Sequence, residues 1–379
     1  MRGVIEHHNI RVIVDGKEVG GWTDYEISQS MRTPSDAFTL SRAFDRAAWD
    51  LLQPDRPIRV LIDEVTVLTG FIDDTDKSDS GEDTITISGR DKVGRLVQES
   101  APAVSYKGLT ERDLIGRLAS PWFTSVVNSN ARNRSVVRGR GRKAASGTEP
   151  IKLDTRGGTT IEPGQARWAV IEELLKQSGH LCWSSGDGRE LIVGLPQYNQ
   201  LPQWSIFHPG EASKRGLEGN ALGFGIKRST GDRYSKIVVV GSGSGTDANY
   251  GSAVSSRYGE AKENPATPDG DGTTFSAPKR LVLVEDVQSR AEATALAKRE
   301  MARRALDSLR VNAVLPLHGQ VLAGTRPTLF ALDTMARVED EVTGVRGAYL
   351  FDSLTFTGSR KNGQRTKVSC IPKGTEVFL

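Results

Sequence analysis

The sequence predicts a multidomain α+β chain dominated by β-structure, and length, turn content and apolar period each point there. At 379 residues the chain exceeds what a single core supports, and at about 100–200 residues per domain two to four domains are expected. Forty glycines beside 6% aromatic residues call for many turns, as short strands joined by hairpins require. Apolar and polar positions alternate with period two near both ends of the chain, and this pattern marks half-buried strands.

Residues 1–100 form the first β-barrel-like domain in this reading. Ile10–Val14 runs into Asp15-Gly16, which tolerates positive φ, and returns through Val19 to Trp22 as a hairpin. Phe38–Ser41 is a further strand, Ile58–Ile62 turns at Asp63-Glu64 into Val65–Leu68, and Thr84–Ser88 completes a small barrel or sandwich. Residues 101–205 read as a small α/β domain. Thr110 caps a helix whose Leu114, Ile115 and Leu118 share one face before Pro121 ends it. Val126 to Thr148 contains no acid, but it holds Arg132, Arg134, Arg138, Arg140, Arg142 and Lys143 among Ser, Gly and Asn, as an exposed loop would. Trp168 to Ser178 is a second helix, stopped by Gly179, and a hairpin follows from Leu181–Ser184 through Gly186-Asp187-Gly188 to Arg189–Val193.

Residues 206–310 continue the α/β pattern. Lys236–Val240 and Arg280–Val284 are strands, and Gly241–Pro278 between them, rich in Gly, Ser, Asp and Pro with almost no apolar periodicity, reads as a poorly ordered insertion. Ser289 with Glu292 makes a capping box for a helix running to about Leu309. Its Ala293, Ala297, Met301, Ala305 and Leu309 repeat every four residues, a small-residue stripe fit to lie close on a sheet. Residues 311–379 supply strands that complete a second β-barrel-like domain, with Asn362-Gly363 as the last hairpin turn.

Composition narrows the chemistry. No run approaches the about 18 apolar residues of a membrane span, and Met1–His8 lacks a signal peptide's apolar stretch, so neither membrane insertion nor export through the Sec route is expected. Cys182 and Cys370 are the only cysteines, too few for a disulfide framework or a four-cysteine zinc site. One bridge remains open, with free thiols the expectation. Fifty basic against 47 acidic residues give a net charge of +3, which does not make nucleic acid the partner of the whole chain.

No catalytic constellation emerges. His7 and His8 would point to opposite faces of a strand and are assigned a surface or terminal role, while His180, His208 and His318 have no acid at ligand spacing. Cys182 beside Trp183 suits a buried, inert thiol, and Gly241–Gly245 lacks the lysine and helix of a phosphate loop. Asp73-Asp74, near Ser78–Gly81, reads as a solvated turn rather than a pair of glycosidase carboxylates or a cation site. No enzyme activity, metal or cofactor is expected. The basic loop is the one candidate contact surface, for phosphates or an acidic protein face.

The block Val67–Asp73, followed by Thr84–Asp91 with its Gly89-Arg90-Asp91, and then Leu96–Ala101, resembles the tail-hub proteins of contractile phages, the Mu-like baseplate hub above all. Gly21-Trp22, the helix-Gly-hairpin of Ala169–Val193, the Ala-rich helix and Gly347–Phe356 agree in order; the basic loop and Gly241–Pro278 have no counterpart. The resemblance implies two related β-barrel domains per subunit and a homotrimeric, pseudo-sixfold ring. Such a ring joins the tail tube to a separate spike protein, contacts other baseplate proteins, and lets DNA pass without sequence readout. The same fold forms the base of type VI secretion spike proteins. The implied location is the virion's tail baseplate, after assembly in the host cytoplasm. Two other functions stay open from the residues alone: a tail-associated cell-wall hydrolase, and a nucleic-acid-binding module acting through Arg132–Lys143.

Overall fold

The computed structural model describes residues 7–79, 83–129, 159–210, 219–241, 258–262, 279–285, 287, 289–306, 308–321 and 327–372. Two compact units interleave along the chain. The first takes residues 1–197, 315–333 and 352–368, and the second takes 198–314, 334–351 and 369–379.

The first unit opens with β1 (Ile10–Val14), β2 (Lys17–Val19), β3 (Trp22–Ser30), β4 (Ala37–Ala43), helix α1 (Arg46–Leu51), β5 (Pro57–Ile62), β6 (Val65–Ser78) and β7 (Thr84–Asp91). In β1 the apolar positions 10, 12 and 14 are buried and the two between them are not. Asp15 and Gly16 turn the chain at φ 48° and 78°, the left-handed pair that a tight hairpin needs. All pairings here are antiparallel, in the order β3-β4-β7-β6-β5-β1-β2. Val12, Ile27, Leu40, Val60, Ile85 and Ile87 are wholly buried between the strands' inner faces, each contributing roughly 1.5–3 kcal/mol. The sequence reading missed α1, whose start is fixed by Asp45 accepting from the Ala47 and Ala48 amides. It also placed Asp73-Asp74 in a turn, but both lie within β6, where a bulge between Ile72 and Asp74 sets Asp73 opposite no residue of β7.

Next come α2 (Val93–Gln98), β8 (Ser105–Tyr106), α3 (Glu111–Ala119), β9 (Ser125–Asn128), β10 (Thr159–Thr160), α4 (Arg167–Ser178), β11 (Leu181–Ser184) and β12 (Glu190–Gly194). Thr110 caps α3 by accepting from the Asp113 amide, and Gly179 ends α4 at φ 76°. Leu96, Leu114, Ile115, Leu118, Ile171 and Leu191 meet in one apolar cluster. The β11–β12 hairpin is antiparallel as expected, and β9 adds to β12 in parallel, which no local pattern announced.

The second unit contains β13 (Trp204–His208), β14 (Gly223–Arg228), β15 (Lys236–Gly241), β16 (Tyr258–Lys262), β17 (Arg280–Glu285), α5 (Arg290–Leu306) and most of β18 (Leu309–Pro316). Strand β16 lies inside the Gly241–Pro278 insertion and pairs antiparallel with β15, while β17 pairs with β15 in parallel. Its pattern escaped notice because its inward positions are Gly259 and Ala261. A Cβ on Gly259 would sit 2.1 Å from the Thr294 amide nitrogen of α5, so the helix lies directly on the strand through its small-residue stripe. Helix α5 stops at Leu306, and Leu309 already belongs to β18.

The remaining strands are β19 (Gly319–Val321), β20 (Pro327–Leu329), β21 (Met335–Asp340), β22 (Arg346–Ser359) and β23 (Gly363–Pro372). In the second unit β21 pairs β13 in parallel and the first part of β22 antiparallel. Residues Ser353–Ser359 of β22 return to the first unit and pair with Asp24–Ser30 of β3. The fold is therefore mostly β and multidomain. No closed barrel is found among the described residues, where the first unit's pairings from β22 to β2 follow an open path.

Candidate functional site

Arg132, Arg134, Arg138, Arg140, Arg142 and Lys143, the contact residues expected from the sequence, lie outside the described residues. The structure instead gathers polar side chains at two places in the first unit, both built from residues far apart in sequence.

At the first, His8 is buried rather than terminal. Its Nδ1 lies 2.7 Å from Asp63 Oδ2, its amide donates to Gln364 Oε1, and its ring stacks on His318 at 5.4 Å. The Thr366 hydroxyl donates its only proton to the Leu317 carbonyl, so it must accept from His318 Nδ1, 3.0 Å away. His318 Nε2 then accepts from the Tyr25 hydroxyl at 2.7 Å. One nitrogen donating and one accepting is the neutral imidazole. Burial, followed by the neighbouring His8, depresses His318 to about 3, while burial pushes the Tyr25 phenol up. These bonds fasten the start of the chain to β3 and to strands near its end.

The second place centres on the Gly89-Arg90-Asp91 segment of β7. Gly89 is required, because a Cβ there would lie 2.1 Å from the Phe71 carbonyl oxygen and 2.7 Å from the Phe38 ring. Arg90 Nε donates to Asp73 Oδ2 at 2.7 Å, so the bulge aims that carboxylate at the guanidinium. Asp91 is buried; it accepts from the Val93 amide at 3.1 Å and from the Ser184 hydroxyl of the β11–β12 hairpin. The hairpin's turn seats on the same surface, with Thr69 Oγ1 donating to the Gly186 carbonyl at 3.0 Å and Lys92 Nζ to the Gly188 carbonyl at 2.8 Å. Asp36 lies buried beside Asp91 and accepts from the Ser30 amide. Burial raises both carboxyls above the usual range, and for Asp36 the charge of Asp91 adds to it.

The other histidines are also committed. His180 Nδ1 meets buried Glu111, which accepts from Ser178 as well, joining the start of α3 to the end of α4. In the second unit, His208 bonds Asp340 and stacks on Phe224. The acids absent at ligand spacing in sequence are thus supplied by distant segments, and no short-range signal could have found them. Among the described residues no group of three or more His, Cys, Asp or Glu could hold a metal ion, and no helix is long and apolar enough to cross a membrane. Both cysteines are buried outside any disulfide, and burial pushes the Cys182 thiol up, away from the reactive thiolate. Chemically these groups act as clamps that fix strands and a hairpin in place.

Residues 9–91 match the family model of the Mu phage baseplate assembly protein GpP-like, N-terminal. No curated protein matches the chain in sequence at a significant level. The tail protein of Neisseria meningitidis MC58 shares its fold at a TM-score of 0.76 and 23% identity, with 98% of each chain covered. The 43 kDa tail protein of prophage MuSo2 from Shewanella oneidensis does so at 0.73 and 20% identity, over 97% of this chain and 99% of that one. The E. coli c3393 protein, described as a type VI secretion component with structural similarity to the T4 phage tail proteins gp27 and gp5, reaches 0.54 at 10% identity over 95% of this chain and 76% of that one. Residues 9–91 are therefore similar to the N-terminal part of the GpP-like Mu phage baseplate assembly proteins, and over nearly its whole length the chain has the fold of these two tail proteins.

Proposed function

We propose that the protein is a structural baseplate hub of a contractile phage tail. Three copies form a pseudo-sixfold ring that joins the hexameric tail tube to a trimeric spike and leaves a channel for DNA. The observation that carries the reading is the match of the first β domain to the baseplate assembly family, and the whole-chain likeness in fold to prophage tail proteins supports it. A physical argument favours assembly: strand edges left open within one copy are satisfied when a neighbour pairs with them, and a closed ring leaves none over. The partners in this reading are the spike, the tube and other baseplate proteins, in the virion. In this reading Arg132, Arg134, Arg138, Arg140, Arg142 and Lys143 are contacts for acidic partner faces or phosphate; a DNA channel should avoid tight phosphate binding, so they are not assigned to its lining.

Electron microscopy and sedimentation of the purified protein test the ring directly. A threefold annulus with a central hole is the expected result, and a protein that stays monomeric in the presence of its spike overturns it. On a peptidoglycan zymogram the protein leaves no cleared zone; clearing that disappears on changing one carboxylate would make it a hydrolase instead.

A further inference from the structure

In the second unit β15 lies between β16 and β17. Helix α5 covers one face of these strands, with Ala293, Ala297 and Met301 packed on Ile237, Val239 and Ala261, and Leu281 and Leu283 of β17 join that cluster. Neighbours along a strand point to opposite faces, so Arg280, Val282 and Val284 stand on the other face, where Val282 is 49% and Val284 67% exposed. Among the described residues β15 is the only strand that pairs with β17, whose outer edge is open. Among the described residues Leu281–Val284 is thus an uninterrupted apolar run on an unpaired strand edge. Soluble proteins normally cover, shorten or charge such an edge, because it invites another strand.

The register adds charge to this surface. Lys236 lies opposite Lys262 on one side and Arg280 on the other, so three cations form one row across the strands. Like charges directly opposite one another repel. Glu260 serves two of them, accepting from Lys236 at 2.5 Å and Lys262 at 2.9 Å, and they draw its carboxyl down to about 2. Glu285 shares the helix-side parity of Leu281 and Leu283, so it cannot neutralise the row.

We propose that the outer edge of β17 receives an extended acidic and apolar segment of another protein as a fourth strand. Its alternating apolar side chains cover Val282 and Val284, and its carboxylates meet Arg280 and the cation row. A second copy of this chain is a poorer fit. In a symmetric antiparallel β17 pair the two Arg280 residues lie at opposite ends and the strand's only acid faces away from them. Nucleic acid is also a poorer fit, because valines offer no ring for base stacking and the nearby Tyr258 already holds the Arg290 guanidinium 5.3 Å from its ring centre. The partner is defined by chemistry alone, so the proposal stands apart from ring formation.

Fluorescence anisotropy with the full chain tests this, using labelled peptides of about eight residues that alternate Val and Thr. One carries two Glu at an end, a second carries Lys in their place, and a third has a central Pro. The acidic peptide is expected to bind, more weakly as salt rises, and at least about tenfold more tightly than the other two. Arg280→Glu should cost about tenfold, and Val284→Asp, at an exposed site that leaves circular dichroism unchanged, should abolish binding. Equal affinity for all three peptides, or no effect of Val284→Asp, overturns the proposal. Three other outcomes also overturn it. Tighter binding of a labelled oligo-dT, lost in Arg280→Glu, assigns the surface to nucleic acid. A concentration-dependent dimer lost in Val284→Asp assigns it to a second copy. Hydrogen-exchange protection of every β17 amide in the protein alone means that its own chain already covers the edge.

Discussion

Gly89 and Gly70 face each other's strands so closely that a side chain has no room. A Cβ on Gly70 would stand 1.9 Å from the Arg90 carbonyl oxygen, and one on Gly89 would meet Phe71 and Phe38. Backbone cannot yield as a flexible side chain can, so Gly89→Ala should destabilise the first unit by about 3 kcal/mol, at the upper end of overpacking costs. Denaturant unfolding would measure it. His318 makes a different prediction. Its folded-state value of about 3 lies below the ordinary 6.5, so the unfolded chain takes up a proton first as pH falls. The stability it contributes is full above about 6.5 and is lost progressively as pH drops toward 3, on the order of 4 kcal/mol in all. In His318→Gln, which cannot titrate, the fall of the unfolding midpoint between pH 7 and pH 4 should be visibly shallower than in the unaltered protein. Parallel pH profiles would remove His318 as the cause.

Elements are held to one another by few and specific contacts. The β11–β12 hairpin seats on the first sheet through Ser184, Gly186 and Gly188. Thr69→Val keeps the shape but removes the donor to the Gly186 carbonyl, which should cost about 1 kcal/mol and speed amide exchange in the hairpin more than in β5 or β6. Gly259 plays the corresponding part beneath α5. Gly259→Val drives a branched side chain into the backbone at Thr294 and should lift the helix from β15 and β16, with exchange rising through Arg290–Leu306. If that helix stays fully protected, the close approach is not what positions it.

These elements also show how far pattern carries. Strands β1 and β7 were legible because each alternates with one buried face, and α3 and α4 because cap and apolar stripe coincide. The alternation in β16 is between polar residues and residues with little or no side chain, so periodicity of hydrophobicity passes over it. Bulged Asp73 shows the reverse. Its polarity suggested a turn, although it is a strand residue aimed at Arg90.

For the molecule as a whole, the match of residues 9–91 and the shared fold agree on a β-rich chain like those of phage tail proteins. If the proposed ring is correct, neutralising Arg132, Arg134, Arg138, Arg140, Arg142 and Lys143 together with Gln should leave its formation intact while weakening attachment to an acidic partner or to DNA. Filter binding with and without added salt separates those two, since phosphate binding falls steeply with ionic strength. A ring that fails to form in this variant would place the segment in the subunit contact instead.

The amino-acid sequence by itself determined the β-rich class, the hairpins, the capped helices and the likeness to baseplate hubs, because each rests on residues near one another along the chain, where period, cap and turn chemistry act. Tertiary structure alone decided which imidazole meets which carboxylate, the parallel pairings of β9 with β12 and β13 with β21, and the interleaving of two units through β22. Those outcomes depend on which distant segments share a core, and the hydrophobic effect that brings segments together is non-directional and leaves no mark of its choice in any short stretch of chain.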